Sequence, residues 1–189
     1  QQAQSSFLRQ GITFTVYGAQ GGTERTMPFD FVPIIIPHSQ WHMIETGMKQ
    51  RVKALNCFLH DIYHEQLIVT AGIIPKNLIE QNPYYCREML GVQVPINNHI
   101  FLAGIDVIRD QNGVYRVLED NLRNPSGISY VFQNRYVMKE VYPEFFSKHT
   151  IQSLEKQMTH MKKALLSHRP RNLKAHVEPK AVLLTAGMY

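Results

Sequence analysis

Two carboxylates, an amide and a guanidinium crowd into residues 117–130, VLEDNLRNPSGISY. Here Val117-Leu118 run into Glu119-Asp120, followed by Asn121, Arg123 and Pro125-Ser126-Gly127. Oxygen donors at Glu119 and Asn121 suit a hard divalent cation, and Arg123 is a fixed-charge anion ligand. The Pro-Ser-Gly step opens a predicted helix over about 127–146, and free backbone N–H groups at a helix start attract phosphate or carboxylate. Metal ligands followed at once by an anion-binding turn is what a nucleoside triphosphate site needs. A surface loop in which Arg123 pairs with Asp120 would account for the same residues.

The element that must position these groups lies just upstream. In FLAGIDVIRDQNGVYRVLED two strand-like runs flank Asn112-Gly113, a strong signal for a hairpin with a two-residue type I′ turn. That turn makes each facing pair sum to 225, so Asp106 faces Glu119 and Gly104 faces Asn121. Alternation then puts Asp106, Glu119 and Asn121 on one face, with facing Cβ atoms about 5 Å apart. Two carboxylates that close repel unless one is protonated or a cation lies between them, and Gly104 leaves space beside Asn121. The arrangement suits a Mg²⁺ shelf. A solvated hairpin end with the two acids leaning apart is the alternative, and a three-residue loop would set Asp106 opposite Leu118 instead.

The remaining elements read as a mixture. GITFTVYG, residues 11–18, alternates as a strand, and AQGGTER after it reads as a connection or a weak phosphate cradle. Ser39, just after Pro37, can cap a helix along which Trp41, Ile44, Met48, Val52, Leu55, Leu59 and Ile62 form an apolar stripe. Near its end His60 and His64 stand one turn apart, a spacing that can grip a metal or simply suit a helix C-terminus. Two short helices broken at Asn82-Pro83 fill 75–90. Another helix covers about 150–167, with Ile151, Leu154, Met158, Met161 and Leu165 as a buried stripe.

Composition narrows the class. A chain of 189 residues can bury one good core. Its longest apolar runs, such as VPIIIP, are too short to cross a bilayer. QQAQSSFLRQ is no signal peptide. With two cysteines, Cys57 read as a small core residue, the expected compartment is the reducing cytoplasm. The net charge of +5 concentrates in 156–180, where Lys156, Lys162, Lys163, Arg169, Arg171, Lys174 and Lys180 oppose Glu178. This is a solvated helix face and connector or a nucleic-acid surface, and the absence of interleaved aromatics speaks against single-strand binding. An opening without Met and a strand-like close, AVLLTAGMY, suggest a piece of a longer protein.

Taken together, GITFTVYG, KQRVKALNCFLHDIY, AGIDVIRD, LEDNLRNPSGISYV and VLLTAGMY resemble the circularly permuted ATP-grasp proteins related to glutathionylspermidine synthetase. The resemblance implies ATP-dependent ligation of a small carboxylate or peptide acceptor to an amine. It implies Mg²⁺ held by Asp106, Glu119 and Asn121, with Arg123 and Ser126 at the γ-phosphate or acceptor carboxylate and Gly127 at the nucleotide. Ala186 stands where the family tends to have Pro, and Ala19-Gln20-Gly21-Gly22 replaces a different loop. The family's ATP-clamping lysines would lie beyond residue 189, so this stretch alone is expected to be inactive. The expected fold is α/β tending to α+β, with a mixed or antiparallel sheet flanked by helices. Residues 1–170 would form the metal-binding part, and 171–189 a connector and first strand of a following domain. A non-catalytic binding module of the same fold remains open, as does the nucleic-acid reading.

Overall fold

β-Branched and aromatic residues alternate through Thr13–Gly18 and form the first strand, β1, preceded by the short helix α1, Gln2–Arg9. The computed structural model describes residues 2–18, 21–26, 30, 32–170, 172–174 and 176–182. Gly21–Thr26 is itself a strand, β2, paired antiparallel with β1. The glycines therefore belong to a ladder, which corrects the reading of Gly21–Arg25 as loop or phosphate cradle; Ala19 and Gln20 lie outside the described residues. So does most of the predicted strand at 181–185, with Ala186.

The chain divides into two compact units, Gln1–Pro37 with Ser126–Leu154, and His38–Pro125 with Glu155–Tyr189. In the first, α1 and the β1–β2 pair are joined by α5, Ile128–Val141, and α6, Pro143–Lys148. Phe7 and Val137 are fully buried, with Ile12 and Val141 against them. Beside this core the buried Ser6 hydroxyl donates to Glu140 Oε2 at 2.7 Å and accepts from Gln10 Nε2 at 3.0 Å. Pro143 has no N–H to continue a helix, so the predicted helix over 127–146 is broken at Tyr142 into α5 and α6.

The second unit is organised by α2, His38–Ile62. It starts at His38, so Ser39 lies inside its first turn rather than capping it. The apolar stripe is half-covered from Ile44 onward and ends in buried Ile62, but Trp41 is 40% exposed and Cys57 is exposed, against expectation. At the C-terminal end the Asp61 carboxylate accepts from the N–H groups of Leu67 and Ile68 at 2.8 and 2.9 Å, and so starts α3, Leu67–Thr70. Helix α4, Lys76–Glu80, and a 3₁₀ turn, Arg87–Met89, flank Asn82-Pro83 as predicted. Asn56 on α2 then accepts from the His99 N–H at 2.7 Å and donates to Asn97 O at 3.0 Å, which fixes the approach to β3, Gly104–Arg109. β3 pairs antiparallel with β4, Tyr115–Asn121.

Helix α7, Glu155–Ser167, contains no buried residue; Met158 is 50% exposed and Leu165 is exposed, so the expected buried stripe is not formed there. Helices predominate, and the strands among the described residues pair antiparallel, one of the two expected arrangements, but as two separate pairs rather than one sheet. No helix of the described residues is long and apolar enough to cross a membrane.

Candidate metal centre

The β3–β4 ribbon brings Asp106 opposite Glu119, Ile105 opposite Asp120 and Gly104 opposite Asn121. Directly facing residues share a face, so Asp106, Glu119 and Asn121 lie on one side and Asp120 on the other. The two acids are exposed and Asn121 is half-buried.

This register is reached by a different route from the expected one. Gly113 N–H donates to Asp110 O at 2.8 Å, and Asp110 N–H donates to Val114 O at 2.9 Å. Gly113 has φ +78°, while Asn112 is not among the positive-φ residues. The loop is therefore Gln111-Asn112-Gly113, a type I turn followed by a left-handed glycine, and not the two-residue type I′ turn. The Asp110 side chain holds it, accepting from the N–H groups of Asn112 and Val114, both at 2.9 Å, and from Arg116 Nε at 2.7 Å. These bonds, Arg116 first, keep its carboxyl below the ordinary aspartate range.

Next to the turn the pairs are one residue out of step: Arg109 with Tyr115, Ile108 with Arg116, Val107 with Val117. An irregularity between Val107 and Asp106 restores the register. Leu118 is the extra residue, a β-bulge, and it is 65% exposed. Asp106 thus avoids Leu118 and meets Glu119 despite the three-residue loop.

The space expected beside Gly104 is occupied. A Cβ on Gly104 would lie 2.7 Å from Pro125 Cβ and 3.6 Å from Asn121 Cβ. The glycine admits the chain itself, folding Pro125 back over the strand, rather than a ligand.

Asp120 and Arg123 do not pair. Arg51 on α2 grips Asp120 with both arms, Nε to Oδ1 at 2.7 Å and Nη2 to Oδ2 at 2.6 Å. The hydrogen bonds to Arg51 hold the Asp120 carboxyl below the ordinary aspartate range, and Asp120 raises the Arg51 guanidinium in turn. The Arg123 guanidinium lies 5.0 Å from the centre of the Tyr84 ring, a cation–π contact. Ser126 is exposed, and Gly127, φ +92°, is the residue from which α5 starts. Both belong to the first unit, whereas Asp106 through Pro125 belong to the second.

The donor set fits a hard cation: two facing carboxylates and one amide oxygen are the oxygen ligands Mg²⁺ takes. Among the described residues no group of three or more His, Cys, Asp or Glu side chains could hold a metal, so the third protein ligand here would be the amide. His60 and His64 stack 4.1 Å apart and His99 joins them, its Nε2 3.4 Å from His60 Nδ1. His64 spends Nδ1 on His60 O at 2.8 Å and faces Gln93 Nε2 with its other nitrogen at 3.1 Å. Both ring nitrogens of His64 are thus committed to protein contacts.

Residues 33–189 match the family described as circularly permuted ATP-grasp type 2. The chain belongs to this family. Among its relatives, an uncharacterized protein of Mycobacterium tuberculosis is 42% identical over 184 residues, covering 97% of this chain and 32% of its own length. An uncharacterized Synechocystis protein is 42% identical over 186 residues, covering 98% and 38%. A Frankia casuarinae protein with the provisional name glutamate–cysteine ligase 2-2 is 37% identical over 178 residues, covering 94% and 20%. The permuted ATP-grasp chain described here therefore spans between a fifth and two fifths of these relatives.

Two residues that touch the motif went unread in the sequence, Arg51 and Tyr84. Arg51 sits on the polar side of an amphipathic helix, where nothing local separates it from Lys49 or Lys53. Tyr84 follows the Asn82-Pro83 break, and an exposed aromatic beside such a break is its only signal.

Proposed function

We propose that this permuted ATP-grasp chain carries the metal-holding part of an ATP-dependent carboxylate–amine ligase, residues 1–170 forming that part and 171–189 leading onward. The observation that supports it most is the pairing of Asp106 with Glu119 and of Gly104 with Asn121 in a chain of this family. Bound Mg²⁺-ATP would supply a phosphoryl group that activates a carboxylate as an acylphosphate for attack by an amine. Asp106, Glu119 and Asn121 would hold the cation, whose charge would offset the repulsion between the two acids. Arg123, tethered to Tyr84 by its face, keeps N–H donors at its edge for an anionic oxygen. The Ser126 hydroxyl and the backbone at Gly127 offer further donors to phosphate or to the acceptor carboxylate. No side-chain nucleophile would be needed for that activation.

The name of the Frankia relative favours amino acids as acceptor and donor. The two free, exposed cysteines suit a reducing cytoplasm, where we place the protein. ADP release by the full-length protein, with Mg²⁺-ATP and mixtures of amino acids, tests the reading. Asn121→Ala should lower it at least about tenfold, the loss seen even when groups behind a metal's ligands are removed. Unchanged ADP release in this variant removes Asn121 from the metal shell. Nucleotide binding without turnover by the wild type makes the chain a binding module.

A further inference from the structure

The three-residue turn and the site demand different registers. Continued without interruption from the turn, the pairing of Arg109 with Tyr115 would set Asp106 against Leu118, Ile105 against Glu119 and Gly104 against Asp120. Because side chains alternate, that slip would turn Glu119 toward α2 and bring Asp120 out in its place. Only the bulge at Leu118 prevents it, and a bulge leaves its extra residue unpaired in the ladder. The ribbon's own hydrogen bonds therefore do not favour the bulged register.

One contact from outside the ribbon does select. Arg51 holds Asp120 through two short, parallel bonds, 2.7 and 2.6 Å, and the same face meets α2 again where Tyr115 Oη donates to Gln40 Oε1 at 3.2 Å. In the slipped register Asp120 would lie on the opposite face, away from Arg51, and the guanidinium would exchange it for Glu119, whose side chain is one methylene longer than the aspartate that the two short bonds fit. We propose that Arg51 is a positioning residue: by clamping Asp120 to α2 it selects the bulged register and so aims Glu119 and Asn121 to the same side as Asp106. Its service to a metal rests on the ligase reading above; its control of the register does not. The planar fork matters, because a bidentate pair fixes the direction of the carboxylate as well as its distance.

The register can be trapped chemically. In the full-length protein with Cys57→Ser and Cys86→Ser, the changes Asp106→Cys, Leu118→Cys and Glu119→Cys let position 106 bond to 118 or 119 under mild oxidation, and fragment mass spectrometry separates the products. The 106–119 bond should dominate. Arg51→Met should shift the ratio toward 106–118 by about tenfold, a modest yield for a lost charge-assisted pair. Asp120→Asn, nearly isosteric, should do the same, and the double change should add nothing further, as for residues acting through one contact. Arg51→Lys, which keeps the charge but not the fork, should restore the ratio only in part. An unchanged ratio in both Arg51→Met and Asp120→Asn overturns the proposal. In the cysteine-unmodified protein Mn²⁺ affinity should fall about tenfold in Arg51→Met. A shifted ratio with unchanged Mn²⁺ affinity instead overturns the metal shelf and leaves the clamp standing.

Discussion

Adding one methyl group at Gly104 probes how the motif turns away from the ribbon. An alanine Cβ there would stand 2.7 Å from Pro125 Cβ, where carbon atoms settle at about 3.5–4.0 Å. One side must therefore move by about 1 Å. Neither yields easily, since Gly104 is paired in the ladder with Asn121 and Pro125 has its φ locked by its ring. Overpacking of this kind costs about 1–3 kcal/mol. Against it stands about 0.4–1 kcal/mol gained because alanine restricts the unfolded chain, so Gly104→Ala should be net destabilising. Each kcal/mol lowers the melting midpoint by about 2–4 °C for a chain of this size.

Pro125→Gly separates the clash from other effects. On its own it loses stability through the freer unfolded chain, but it removes the Cβ that the added methyl would strike. In that background Gly104→Ala should cost at least about 1 kcal/mol less than in the wild type, a coupling within the range for touching residues. Scanning calorimetry of the four proteins gives the cycle. If the two changes add, or if Gly104→Ala alone raises the midpoint, Pro125 does not fill the space beside Asn121 and the account of this turn is wrong.

Two further expectations concern protons. The folded Asp110 carboxyl titrates below its ordinary value of 3.8 because Arg116 and two loop N–H groups hold it ionised. Its contribution is present above that value and is lost as pH falls through the lower folded one. The Val114 amide resonance, followed from about pH 5 to pH 2, should report the loss, and Asp110→Asn should flatten it. For His99 burial first, then charge on His60 and His64, lowers the pKa below 6.5. The neutral ring is the one the fold accommodates, so stability is full above that value and declines as pH falls through the folded one. Denaturant midpoints at about pH 7.5 and pH 5.5 should differ in that direction, and His99→Gln should narrow the gap.

Which parts of this were readable follows from the range of the forces involved. Periodicity identifies α2 because stepping apolar residues is a local property, but it does not say what lies opposite each face. Trp41 and Cys57 occupy positions that the spacing favours for burial and are exposed, as are Met158 and Leu165 on α7. The turn was legible in a different way. Asn112-Gly113 suggests a type I′ turn, yet Asp110 three residues before Gly113 is the type I signature, aspartate first and glycine fourth, and the side chain of Asp110 closes it.

Asp106 meets Glu119, and Gly104 meets Asn121, as expected because two departures cancel. The longer loop removes one residue from step and the bulge at Leu118 returns it. No feature of Leu118 marks it as the extra residue. What distinguishes the two registers is where Asp120 ends up, and its partner Arg51 is 69 positions away on another element. A reading confined to Val117 through Gly127 treats Asp120 as a spare acid beside the two proposed ligands. Under the proposed clamp, Asp120 held by Arg51 sets which way Glu119 and Asn121 point, and the chemistry proposed for the motif would then depend on a helix that contributes no ligand to it.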